Sequence, residues 1–144
     1  CRLCSNKTER KLYLFLKQQG WQVDVQVKFE WAPRAIFDFK VGDRCLVEMD
    51  GPQHFRPVST WKSGWEVCAN DCKKEDMAVQ HGFSVVRVLQ SDVWGDIGDW
   101  KGHIAQSIAE ASRPGSEARV FVPPDRPQYQ TGVFARLRTD TCFF

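Results

Sequence analysis

The spacing of hydrophobic residues changes along the chain, and each period predicts an element. From residue 7 onward, Leu12, Phe15 and Leu16 recur at helical spacing, with Glu9 one turn earlier at the edge of the same face. Ser5 or Asn6 is placed to cap this helix, and Gly20 supplies the left-handed residue that ends it. In WQVDVQVKF the period drops to two, so Trp21, Val23, Val25, Val27 and Phe29 share one face of a half-buried strand. AIFDFKV and RCLVEMD follow as two strands joined through Gly42, Asp43 and Arg44, a loop short enough to make an antiparallel hairpin. FRPVSTWKSGW has no period and carries two tryptophans, which marks a loop with room for function. Asn70 or Asp71 can cap a helix through KKEDMAVQH, ended by Gly82. FSVVRVL is β-branched and largely apolar, hence an interior strand. IGDWKGHIAQSIAEAS reads as a last helix with Trp100, Ile104, Ile108 and Ala111 near one face, and ARVFV is a short strand candidate after Pro114. The order α-β-β-β-α-β-α predicts an α/β (α+β) domain, a mixed sheet flanked by helices.

The hairpin brings chemistry with it. If Gly42 to Arg44 form the loop, Val41 faces Cys45, and counting outward sets Asp38 opposite Glu48. Asp50, two residues past Glu48, points to the same side. Like charges on directly opposed strand positions destabilise a sheet unless a cation lies between them. The acids emerge from apolar strands, so a solvated acidic rim explains them less well than a site for Mg²⁺ or Mn²⁺, which favour oxygen ligands. His54 lies just past Gly51, at the mouth of such a site, where an imidazole can take a proton from water. Asp71 can cap the next helix or orient His54. His81 and His103 fall at a helix end and on a helix, where structural roles are expected.

Composition adds limits. The 144 residues are 42% hydrophobic and 26% charged, the profile of one globular domain. No run of about 18 apolar residues occurs and no apolar leader opens the chain, so the expectation is an intracellular protein, cytoplasmic or nuclear, without a membrane span. A net charge of +2 is too small to argue nucleic-acid binding by itself, so any electrostatic case is local. Six cysteines without a secretory signal read as thiols or metal ligands. Cys1-x-x-Cys4 has the spacing of a zinc knuckle, and Cys68 with Cys72 can supply a second pair of thiolates to Zn²⁺; unpaired thiols at a chain end are the plainer alternative.

RAIFDFKVGDRCLVEMDGPQHF, followed by ANDCKKEDMAVQHGFSVVRVL, resembles the restriction-endonuclease-like superfamily of metal-dependent nucleases. Within it the match is nearest the branch of very-short-patch mismatch-repair endonucleases and related homing endonucleases. The positions matching that pattern are Glu9, Asp38, Asp50-Gly51, His54 and Asp71, and the resemblance covers about residues 4–112. It implies the superfamily's core fold and a lysine two residues after the second-strand acid. Here Glu48-Met49-Asp50 places an acid in that lysine slot, which moves the water-activating role to His54, or to Lys73 or Lys74 reaching back from the helix. DGPQHF also resembles the RAP domain of organellar RNA-associated proteins. The opening Cys1-x-x-Cys4 looks like the tail of a zinc ribbon that precedes such nuclease domains. The expected division is therefore 1–5 as the end of an upstream zinc knuckle, 6–112 as the nuclease-like core and 113–144 as a Pro/Arg-containing extension.

The resulting expectation is an endonuclease that hydrolyses phosphodiester bonds, with DNA ahead of RNA as substrate. Asp38, Glu48 and Asp50 hold Mg²⁺ or Mn²⁺, His54 is the general base, Asp71 orients it and Glu9 completes the metal shell. Arg34, Lys40, Arg56, Lys62, Lys73 and Lys74, with Arg113, Arg119, Arg126, Arg136 and Arg138 in the tail, are candidate phosphate contacts. Trp61 and Trp65 are candidates to stack on bases or wedge a duplex, or else cover the core under the loop. The alternatives are a nucleic-acid-binding module without catalysis, RAP-like and directed to RNA, and a ribonuclease.

Overall fold

The computed structural model describes residues 6–51 and 64–130, with the side chains of 64–71 outside the description. Helix α1 (Lys7–Gln18) starts at Asn6, whose side chain accepts a hydrogen bond from the Glu9 N–H at 3.1 Å. It ends before Gly20, which takes φ +84°. Strands β1 (Val23–Phe29), β2 (Ala32–Val41) and β3 (Cys45–Asp50) form an antiparallel meander. Helix α2 (Gly64–Gln80) then leads to β4 (Ser84–Leu89), which lies parallel to β3. The short α3 (Gln90–Gly95) and α4 (Trp100–Ala111) follow, and β5 (Val120–Phe121) adds a parallel edge to β4. The sheet order is β1-β2-β3-β4-β5. The class is mixed α/β, as the hydrophobic pattern predicts.

Two apolar layers divide the molecule. Leu12, Phe15 and Leu16 of α1, Val93 of α3, and Trp100, Ile104 and Ile108 of α4 pack on Phe39, Val41, Cys45, Val47, Val86 and Val88. On the other face Ala78 of α2 packs on Phe37, Leu46 and Val85. β4 is buried along its whole length, consistent with its apolar sequence and its place between β3 and β5. Among the described residues no helix is long and apolar enough to cross a membrane.

Three expectations need correction. The strict alternation of β1 breaks at Gln26, whose φ of +51° lies in the left-handed region. Trp21 and Val23 therefore pack with the α1 side, Phe29 packs with the α2 side, and Val25 is exposed. Opposite Gln26, β2 changes phase as well, because Phe39 faces α1 while Phe37 faces α2. Helix α2 begins at Gly64, so Asp71 lies inside the helix and not at its head, and Trp65 belongs to the helix and not the loop. The helix α3 and its turn had no periodic signal and were not expected; α3 is too short to display a stripe.

Candidate functional site

The β2–β3 hairpin has the register that its short loop implies: Val41 pairs with Cys45, Lys40 with Leu46 and Phe39 with Val47. Gly42 takes φ +62° in that loop. The next position outward is Asp38 beside Glu48, and there the backbone ladder is interrupted. The Met49 N–H donates to Asp38 Oδ2 at 2.9 Å, so a carboxylate takes the place of a backbone carbonyl. The register of β2 with β3 thus ends where β1 and β2 change phase, at Gln26 and Asp38.

Glu48 is buried at 6% exposure on the face covered by α2. Lys74 reaches down from α2 and donates to Glu48 Oε1 at 3.0 Å and to the Ile36 carbonyl at 2.8 Å, while its ammonium lies 4.8 Å from the centre of the Phe37 ring. Burial raises the Glu48 carboxyl well above its ordinary range, Asp38 adds to the rise, and Lys74 and Arg87 pull in the other direction. Loss of hydration therefore outweighs the neighbouring cations.

The next residue of α2, Glu75, engages a second cation. Arg87 of β4 is 1% exposed, pairs with Glu48 in the parallel register, and donates through Nε to Glu75. Its Nη1 donates to Asp50 Oδ1 at 2.5 Å, and the Tyr129 hydroxyl donates to Asp50 Oδ2 at 2.5 Å. Asp38, Glu48, Asp50 and Glu75 are four carboxylates facing the two cations Lys74 and Arg87. The group is largely desolvated, so each of its charges depends on a partner of opposite sign or on a retained proton.

The expected residues distribute as follows. Asp38 and Glu48 come together as the register requires. Asp50 shares the strand face of Glu48, but both of its oxygens accept hydrogen bonds from protein donors, which places it with Arg87 and Tyr129. Glu9 is buried on α1, whose apolar face packs on the opposite side of the sheet from α2. Lys74 enters the site, whereas Lys73 is exposed. Arg34 and Arg113 are exposed and Lys40 is half-buried. Arg119 and Arg126 instead pair with Glu110 and Asp92, fastening the segment after α4 to the helices. Cys72 is buried on α2 and forms no disulfide among the described residues; Cys68 lies four positions earlier on the same helix, its side chain outside the description. Cys1, Cys4, His54, Arg56, Trp61, Lys62, Arg136 and Arg138 lie outside the described residues, as do the side chains of Trp65 and Asp71. Among the described residues no group of three or more His, Cys, Asp or Glu side chains is arranged to hold a metal ion.

Sequence reasoning missed Arg87, Glu75 and Tyr129. For Arg87 a signal existed: it is the one charged residue in FSVVRVL, and an arginine in an interior strand requires buried acids as partners. Tyr129 gave none, since it sits in a Pro-rich stretch without period, on a single 3₁₀ turn (Pro127–Tyr129). His103 Nε2 donates to the Arg87 carbonyl at 2.8 Å. No protein-family model, no curated protein and no solved structure matches this chain.

Proposed function

We propose that the chain is a metal-dependent nuclease that hydrolyses phosphodiester bonds, with DNA as the expected substrate, on a restriction-endonuclease-like core. The observation that carries this reading is the Asp38–Glu48–Lys74 group. Two acids from adjacent strands meet where the ladder is interrupted, and a lysine from α2 donates to one of them. The strand position where the resembled family has lysine holds Asp50, and Lys74 supplies an ammonium to the same acid from the helix.

The donor set suits a hard divalent cation such as Mg²⁺ or Mn²⁺. It offers carboxylate oxygens from two adjacent strands, and burial and Asp38 together push the Glu48 carboxyl up. Asp38 and Glu48 are the residues that would hold the ion; Asp50, engaged by Arg87 and Tyr129, is left out of that set. When bound, such an ion neutralises charge on a phosphodiester and acidifies water. Lys74 holds Glu48 and would add a positive charge to the stabilisation of a bound phosphate. In this reading His54 is the general base.

A catalytically inactive nucleic-acid-binding module on the same fold is the second reading. It is favoured by the engagement of Asp50, which leaves two carboxylates where three were expected. One experiment separates the two: incubation of matched DNA and RNA oligonucleotides with the protein in Mg²⁺, Mn²⁺ or EDTA. The nuclease reading expects cleavage with metal, none in EDTA and none by Asp38→Ala. Binding without cleavage, together with a melting temperature indifferent to metal, selects the module. Preferential cleavage of the RNA strand makes the enzyme a ribonuclease.

A further inference from the structure

We infer that Arg87 and Tyr129 are positioning residues that hold the end of β3, and with it Glu48, in register with Asp38 and Lys74. The inference rests on the nuclease reading for its kinetic consequence, though its geometric content stands apart from catalysis. Past Phe39 and Val47 the β2–β3 register ends, and the Met49 N–H donates to the Asp38 carboxylate. On that side the last residues of β3 lack the regular backbone pairing that fixes a central strand. Their support comes from β4, where Glu48 pairs with Arg87 and Asp50 with Leu89, and from the side chains that grip Asp50.

That grip is built from distant parts of the chain. Arg87 binds one oxygen of Asp50 and Tyr129, 79 residues away in sequence, binds the other. Arg87 also engages Glu75, the residue next to Lys74 on α2. Consecutive residues of one helix are therefore tied to opposite charges on two adjacent strands, Lys74 to Glu48 and Glu75 to Arg87. A displacement of Arg87 moves Asp50 along β3 and Glu75 along α2, and both motions alter the Lys74–Glu48 contact. Burying a guanidinium among carboxylates is costly compared with apolar packing of the same volume, so the network is better explained by the geometry it enforces than by stability. The segment carrying Tyr129, beyond α4 and β5, then belongs to the site.

The test uses Tyr129→Phe, which removes one oxygen, and Arg87→Lys, which keeps the charge but loses the forked geometry, in the full chain. If the wild type cleaves oligonucleotides with Mn²⁺, Tyr129→Phe is expected to lower kcat about ten-fold with KM for the oligonucleotide unchanged, and Arg87→Lys more, in proteins whose circular dichroism matches wild type. A folded Tyr129→Phe with wild-type kcat overturns the inference. If the wild type cleaves nothing, the nuclease reading fails and a stability cycle decides the positioning role alone. Tyr129→Phe is measured in wild-type and Lys74→Met backgrounds by urea unfolding. Positioning predicts that its effect on the unfolding equilibrium constant differs about five-fold between backgrounds, although among the described hydrogen bonds Tyr129 reaches Lys74 only through Asp50, Arg87 and Glu75; additive effects overturn it. Should Tyr129→Phe fail to fold, Arg87→Lys takes its place in both arms.

Discussion

Lys74→Met tests whether Glu48 is a desolvated acid that depends on one lysine. The substitution keeps an apolar stem of similar length over Phe37 and removes the ammonium from Glu48 and from the Ile36 carbonyl. The Lys74 side chain is 22% exposed and that of Glu48 is 7%, so water replaces only part of what is lost. A hydrogen bond to a charged group contributes about 1.5–3 kcal/mol, and the retained packing offsets some of it. The net cost at neutral pH is about 2 kcal/mol, a fall in melting temperature of roughly 6–8 °C at this chain length. The charge must be the cause. In a Glu48→Gln background the same substitution is therefore expected to cost under about 1 kcal/mol, a coupling of about 1–1.5 kcal/mol. The pH dependence has a definite sign. The folded-state pKa of Glu48 lies above its unfolded value, so the stability contributed by its protonated form is full below the unfolded pKa and is lost as pH rises through the folded one. Removing Lys74 raises that pKa further, so the cost of Lys74→Met grows with pH and is small in acid. Urea unfolding of the four proteins across pH measures all of this. Equal costs in both backgrounds, or a cost that is flat with pH, would refute the reasoning.

Other outcomes follow from the same structure. Glu48→Gln alone is expected to raise stability at pH 7 by on the order of 1 kcal/mol while abolishing cleavage, because it removes a buried charge and its repulsion with Asp38; a fall in urea midpoint contradicts it. Burial pushes the Cys45 thiol up to about 12, so brief alkylation at pH 8 followed by mass mapping is expected to leave Cys45 unmodified until the protein unfolds. Burial lowers His103 below its ordinary 6.5, the bond to the Arg87 carbonyl opposing this in part. The stability it contributes above 6.5 is lost as pH falls from there toward its folded pKa, and His103→Gln is expected to flatten that slope in urea unfolding between pH 7 and 5.

The hairpin was the most legible part of the chain, because a three-residue loop with glycine at its first position leaves one register, and that register fixes which acids meet. Helix α1 is legible in extent and face because Asn6 caps a stripe of apolar residues, whereas for α4 only the face is legible: the pattern runs from Ile97, and the helix starts at Trp100 behind an Asp99 cap that the stripe does not mark. The start of α2 was not legible. GWEVCAND carries no stripe and contains residues favoured at caps, so the pattern placed the beginning at Asn70 or Asp71, several residues after Gly64. The phase change in β1 was hidden because Gln26 is an ordinary polar residue at the expected solvent position; only the backbone reveals its left-handed conformation. Asp50 shows the limit of counting faces. Periodicity places its side chain on the same side as Glu48, but which donor it meets depends on Arg87 and on Tyr129 far along the chain.

In the nuclease reading Asp38 and Glu48 form one site for a divalent cation, with Asp50 excluded from it. Calorimetric titration of Mn²⁺ into the wild type, Glu48→Gln and Asp50→Asn tests this directly. The expected result is one saturable site in the wild type, affinity at least about ten-fold weaker in Glu48→Gln, and a smaller loss in Asp50→Asn. Binding that is unaffected by Glu48→Gln, or that is lost in Asp50→Asn while Glu48→Gln retains it, would contradict it.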